Sequence, residues 1–200
     1  MYGFKFIFTK IKRSIIFYYA QSIYFYHIKR IKMENLLIGR KRPITELEEA
    51  RNSKKPELVA LIGRRRVGKT YLIKQVYAEQ IDFELVGTQH TSLAAQIQNF
   101  VLRIDRHFPD FPIRQKPSSW IEAFDLLGRA LETVKKTEKK IVFFDELPWL
   151  DTKRSNFIAG LSYFWNSWAV NQNIVVVICG SAASWMIKKS STTKAVCTIA

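Results

Sequence analysis

The chain has 200 residues, of which 48% are apolar and 24% charged, and a formal net charge of +15. These proportions suit one globular domain, or one domain with an appendage. They exclude a disordered, collagen-like or disulfide-stapled chain. The cysteines, Cys179 and Cys197, and the histidines, His27, His90 and His107, are scattered and match no metal-ligand spacing. So few cysteines fit a reducing, cytoplasmic compartment.

The charge is concentrated at the start. Of the 32 basic residues, seven lie in residues 1–32 without one acid, which leaves 25 bases against 17 acids in residues 33–200. Residues 1–32 are also rich in Phe, Tyr and Ile. Their uncharged run, Ser14 to Ile28, is short for a bilayer helix and contains Gln21, Ser22 and His27, so no stable membrane span is expected. A basic amphipathic segment of this kind suits a membrane surface or nucleic acid. The abrupt change of composition at Met33-Glu34 also suits a translation start at Met33. Residues 1–32 therefore read as a basic aromatic extension outside the fold.

The remainder alternates strands and helices. A helix is expected around Thr45–Arg51. Leu58-Val59-Ala60-Leu61-Ile62 is a continuous apolar run, the pattern of a strand buried on both faces. A helix from Lys69 to Gln80 and a strand at Phe83–Val86 follow. Leu93, Ile97, Phe100, Val101, Ile104 and Phe108 recur at helical spacing. Pro109, Pro112 and Pro117 interrupt the chain, and Ser118-Ser119 can cap the next helix. Its Ile121, Phe124, Leu127, Leu131 and Val134 share one face. Ile141–Phe144 and Ile174–Ile178 read as further buried strands, separated by a helix carrying Phe157, Leu161, Phe164 and Trp165. Strands alternating with helices predict a parallel sheet between two helical layers. After Ile187 the apolar periodicity stops, and residues 189–200 read as an irregular tail that a shifted reading frame would produce.

The chemistry lies at three strand ends. Gly63-Arg64-Arg65-Arg66-Val67-Gly68-Lys69-Thr70 has the spacing G-x-x-x-x-G-K-[ST]. The glycines let the backbone close around an anion. Successive N–H groups and the following helix N-terminus then point at phosphates. Lys69 brings a charge to the β- and γ-phosphates, and the Thr70 hydroxyl can reach Mg²⁺. Phe144-Asp145-Glu146 delivers two carboxylates to the end of an apolar strand: Asp145 to hold Mg²⁺ through its water shell, Glu146 to orient and deprotonate a water. Cys179-Gly180-Ser181 ends another strand. Ser181 can sense the γ-phosphate there, or simply belong to a Gly-Ser turn. Cys179 reads as a small buried residue, and the tryptophans, Trp149 among them, as packing.

Together, Ile38-Gly39-Arg40, the 63–70 loop, Phe144-Asp-Glu-Leu-Pro-Trp-Leu-Asp151 and Cys179-Gly-Ser-Ala-Ala-Ser-Trp-Met186 resemble one family. It is that of the prokaryotic AAA-type ATPases related to the archaeal ATPase group and the STAND NTPases. The resemblance covers residues 33 to about 188. It implies an α/β P-loop fold, a three-layer α/β/α sandwich with parallel strand order 5-1-4-3-2, and ATP and Mg²⁺ as ligands. It implies the roles above for Lys69, Thr70, Asp145 and Glu146, a sensor position for Ser181, and a place near the adenine for Gly39 and Arg40. The family continues into a fifth strand, a helical lid and a C-terminal domain, all of which this sequence is expected to lack. The first strand would then be a raw sheet edge. The resemblance admits nucleic acid as a partner through such a further domain, and self-association. Two activities follow from it: hydrolysis of ATP to ADP and phosphate, or a switch that binds ATP without turnover.

Overall fold

The computed structural model describes residues 40–152 and 155–181, and the backbone of a strand at 195–199. The chain divides between Lys41 and Arg42, and the architecture below is that of the unit after the division.

Helix α1 (Lys41–Asn52) precedes strand β1 (Glu57–Gly63), which runs into a loop and helix α2 (Lys69–Tyr77). A 3₁₀ turn at Ala78–Gln80 leads to β2 (Ile81–Val86). Helices α3 (Leu93–His107) and α4 (Trp120–Glu132) follow in succession. Then come β3 (Lys140–Asp145), the single turn α5 (Leu147–Leu150), α6 (Phe157–Ser167), β4 (Ile174–Gly180) and β5 (Ala195–Ile199). The two longest helices begin on serine caps. Ser92 Oγ accepts from the Ala95 N–H, and Ser119 Oγ from the Glu122 N–H, so each hydroxyl satisfies one of the free donors of a first turn.

All strand pairs are parallel, in the order β2-β3-β4-β1-β5. Read from the other edge this is the expected 5-1-4-3-2. The β2–β3 register shifts between Ile81 and Phe83, and the Asp82 carboxylate closes the gap by accepting the Ile141 N–H at 2.7 Å and the Lys136 ammonium at 2.5 Å.

Two sequence expectations are corrected. The fifth strand is present, and the tail over 189–200 is not irregular throughout: Ala195–Ile199 pairs in parallel with Val59–Gly63. Strand β1 is therefore flanked on both sides, not a raw edge. Val196, Thr198 and Ile199 are β-branched and favour extended backbone. The apolar run here is short and broken by Thr198, so a search for continuous apolar stretches passes over it. Residues 195–199 of the tail thus have regular structure, and the rest of it lies outside the described residues.

One face of the sheet packs Ala60, Ile62, Phe83, Leu85, Val142, Phe144, Ile174, Val176 and Ile178 into a core with α3, α4 and α6. Phe124 is its centre, with ring centroids 5.4 Å from Phe157 and Phe164 and 5.6 Å from Phe144. Each such aromatic side chain contributes about 1.5–3 kcal/mol by leaving water. The alternate strand residues, Val59, Leu61, Ile141, Phe143, Val175 and Val177, are buried on the opposite face. Leu47 of α1 and Leu72, Ile73 and Val76 of α2 are buried as well. Lys139 fastens α1 to the start of β3, since its buried ammonium donates to the carbonyls of Ala50 and Lys55 and to Ser53 Oγ. Among the described residues no helix is long and apolar enough to cross a membrane.

Candidate active site

Strand order brings the three sequence segments together. Strand β4 lies between β1 and β3, so the ends at Gly63, Gly180 and Asp145 stand side by side. The 63–70 loop joins β1 to α2. Arg66 (φ 62°) and Gly68 (φ 76°) both take left-handed backbone, which turns the chain back on itself. Gly68 then caps α2, its carbonyl accepting the Leu72 N–H at 3.0 Å.

Lys69 is only 7% exposed. Its ammonium donates to the carbonyls of Gly63 (3.0 Å) and Arg64 (2.7 Å), so the loop wraps around it. Arg64, Arg65 and Arg66 are exposed at the loop's outer side, ahead of Val67. Thr70 Oγ1 donates to Asp145 Oδ2 at 2.6 Å, and Asp145 Oδ1 accepts the Glu146 N–H at 2.9 Å. Asp145 is 4% exposed. A hydroxyl and a carboxylate in contact beside a buried ammonium form an oxygen donor set that suits a hard divalent cation together with phosphate oxygens.

Glu146 caps the turn α5 in left-handed backbone, φ 49°. Its Oε2 is buried without a hydrogen-bond partner. Burial, and next the Asp145 carboxylate, push its carboxyl above the usual range, against the opposing charges of Lys69 and Arg65. A base with raised proton affinity is better matched to accepting a proton near neutral pH. Cys179 is buried, as read from the sequence, and burial and then the neighbouring Asp145 carboxylate push its thiol far up. Ser181 is half-buried directly after Gly180, which is in register with Ile62. It therefore stands next to the root of the loop, between the ends of β1 and β3. Gly39 lies outside the described residues. Arg40 precedes α1 on the N-terminal side of the chain division.

Sequence reasoning passed over three residues around Glu146. Gly87 follows β2, and its N–H donates to the Asp145 carbonyl at 2.9 Å. A Cβ there would stand 2.6 Å from the Glu146 carbonyl oxygen. Its signal was a glycine ending an apolar strand, which often marks close backbone approach. Trp149, read as packing, lies with its ring centroid 5.2 Å from the Arg65 guanidinium carbon. Gln96 is 2% exposed, and its Nε2 donates to the Trp149 carbonyl at 2.7 Å. Gln96 is three residues after Leu93 and four before Phe100, an apolar-face position where a polar residue stands out. A groove of about 890 Å³, lined by Leu93, Ile97, Val101, Leu102, Ile113 and Pro117 among others, runs along α3 and shares no residue with this site.

The sequence profile of an ATPase domain found predominantly in Archaea matches residues 37–198. The chain belongs to this family. The match extends into strand β5. Among solved structures, the fold is similar to the Walker-type ATPase PABY2304 of Pyrococcus abyssi, with a TM-score of 0.51 and 21% identity over 76% of this chain and 48% of that one. It is also similar to Drosophila ORC bound to DNA, with a TM-score of 0.61 and 16% identity over 86% of this chain and 45% of that one. The ATPase domain thus spans less than half the length of these structures. No curated protein sequence matches it. Family and fold agree on a nucleotide-binding P-loop ATPase module.

Proposed function

We propose that this domain binds ATP with Mg²⁺ and hydrolyses it to ADP and phosphate, using the reaction to drive a change of conformation, as an AAA-type module of the cytoplasm. The observation that carries the reading is the Thr70–Asp145 contact of 2.6 Å beside the Lys69 ammonium. It joins the two halves expected of such a site across the intervening strand β4.

The geometry supports the roles of the loop, Lys69, Thr70, Asp145, Glu146 and Ser181 as follows. The backbone N–H groups of residues 64–69 receive the phosphates, with the positive end of α2 behind them. Lys69 exchanges its loop carbonyls for the β- and γ-phosphate oxygens. Thr70 and Asp145 are the residues that would hold Mg²⁺, which supplies positive charge to those oxygens. Glu146 accepts a proton from the attacking water, for which its raised proton affinity and partnerless Oε2 prepare it. Ser181 stands where a small polar group meets the γ-phosphate, and Gly39 and Arg40 are assigned to the adenine side on the strength of the family resemblance.

The domain boundaries belong to the same proposal: an extension at residues 1–32 and an ATP-binding domain from residue 33 that includes β5. DNA and self-association are partners to test; the Drosophila ORC structure is one bound to DNA.

Calorimetry and phosphate release test the reading together. The parent chain is expected to bind ATP in the presence of Mg²⁺, and Lys69→Ala to lose that binding. Glu146→Gln is expected to keep ATP and lose turnover. Equal ATP affinity in Lys69→Ala would overturn the site. Binding without turnover in the parent would leave the switch reading in its place.

A further inference from the structure

Glu146 occupies a backbone conformation it does not favour. Left-handed φ is uncommon for a residue with a long side chain and persists only where its surroundings impose it. The turn that follows, Leu147-Pro148-Trp149-Leu150, is four residues long, too short to be stable by itself. Something outside the turn must therefore hold it.

Three elements converge on it. From the phosphate loop, the Arg65 guanidinium lies over the Trp149 ring. From the first turn of α3, Gln96 Nε2 donates to the Trp149 carbonyl at 2.7 Å. From the end of β2, Gly87 packs against the Glu146 carbonyl with no room for a side chain. Trp149 is joined to Glu146 in turn, its N–H donating to the Glu146 carbonyl at 2.9 Å. Gln96 is buried and its Oε1 has no partner, a cost tolerated where the side chain is needed for its amide.

We infer that Arg65, Trp149 and Gln96 form a clamp that positions Glu146 for hydrolysis and contributes little to holding nucleotide. Trp149 is gripped on two sides: its ring faces the phosphate loop, its carbonyl faces α3. Because Arg65 belongs to the loop, the clamp ties the placement of the base to the conformation of the loop around its ligand. Gln96 and Trp149 are positioning residues; neither touches the reacting atoms. The inference rests on the ATPase reading above and adds to it the residues that set the base.

The test uses the full chain with two probes, ADP and ADP with aluminium fluoride, each with Mg²⁺. The fluoride complex imitates the phosphoryl group in transfer, so its excess affinity over ADP reports transition-state fit even where turnover is slow. Gln96→Leu and Trp149→Leu are expected to keep ADP affinity within about twofold while losing roughly ten- to a hundredfold of the excess affinity and of kcat, the usual effect of a small displacement. Trp149→Phe keeps a ring beneath Arg65 and should recover most of that loss. A variant that merely loosens the fold would weaken both probes alike, and that result overturns the clamp. So does unchanged excess affinity in Gln96→Leu and Trp149→Leu, or a parent chain with no excess to lose. Failure of the parent to bind nucleotide at all would overturn the ATPase reading itself.

Discussion

Thr70 and Asp145, 75 positions apart in the sequence, meet through a hydroxyl and a carboxylate oxygen at 2.6 Å. Asp145 ends β3, whereas Thr70 lies in the first turn of α2, which follows β1. Strand β4 separates β1 from β3, so the first turn of α2 has to reach across one strand, about 4.8 Å of sheet on either side. Asp145→Asn is expected to keep the fold, although its single amide oxygen replaces only one of the two acceptors that meet Thr70 and the Glu146 N–H. It should reduce the advantage that Mg²⁺ gives to ATP binding by roughly ten- to a hundredfold, the value of a charge-assisted contact. Titrations of ATP with and without Mg²⁺, in parent and variant, measure that difference.

Gly87→Ala places a methyl group 2.6 Å from the Glu146 carbonyl oxygen and 3.1 Å from Leu150 Cγ. Backbone on one side and a buried side chain on the other leave little room to yield. A loss of about 1–3 kcal/mol of stability is expected, the usual cost of overpacking. Hydrolysis should suffer more than that loss alone explains, since the displaced group carries the base. Urea unfolding and a turnover assay on one preparation separate the two effects.

Gly160→Ala is the matching control in the core. Its Cβ would stand 2.8 Å from Trp120 Cβ and 3.0 Å from Phe124 Cδ2, where α6 crosses α4. It should cost a similar 1–3 kcal/mol and leave nucleotide affinity intact below the melting point. A thermal melt with and without ATP shows whether the ligand-induced shift survives.

His107 gives the domain a pH response of known sign. The imidazole stands 5.7 Å from the Phe83 ring and 6.4 Å from that of Phe108. Burial, and next the charge of Arg103, hold its pKa below the ordinary 6.5. Above that value neither the folded nor the unfolded chain protonates it, and it contributes no pH dependence. As the pH falls below about 6.5, the unfolded chain takes up a proton that the fold resists, so stability declines until the folded pKa is passed. His107→Phe should flatten this part of the profile. Urea midpoints at pH 7.5 and 5.5 for parent and variant test it.

The sheet and the segments that meet at the candidate site were legible because they depend on local pattern. Continuous apolar runs marked β1, β3 and β4, and the glycine, lysine and threonine of the 63–70 loop sit at intervals set by phosphate geometry. Helix boundaries shifted by a few residues, as at α1, which begins at Lys41 and not Thr45. The misses were relations between distant residues. No spacing announces that Gln96 and Arg65 both meet Trp149, or that Gly87 makes room for a carbonyl 59 residues later. Strand β5 was missed for another reason: a short edge strand carries Thr and Cys, and its stabilisation comes from its neighbour more than from its own composition.

Strand β1 has a further consequence for how the domain is made. Both of its hydrogen-bonding neighbours come late: Val59 pairs with Val177 on one side and with Ala195 on the other. While the chain emerges from the ribosome, β1 and the loop it carries wait unpaired through the synthesis of five α-helices. β2 and β3 can associate earlier, but the sheet cannot join its halves until β4 slots between β3 and β1. Assembly is therefore ordered by insertion, and long-range parallel pairing of this kind is slow. The apolar strand that bears the 63–70 loop is the segment a nascent chain has most need to shield, and a nucleotide at the proposed site, which draws on β1 and β3 on either side of β4, can stabilise only the finished arrangement.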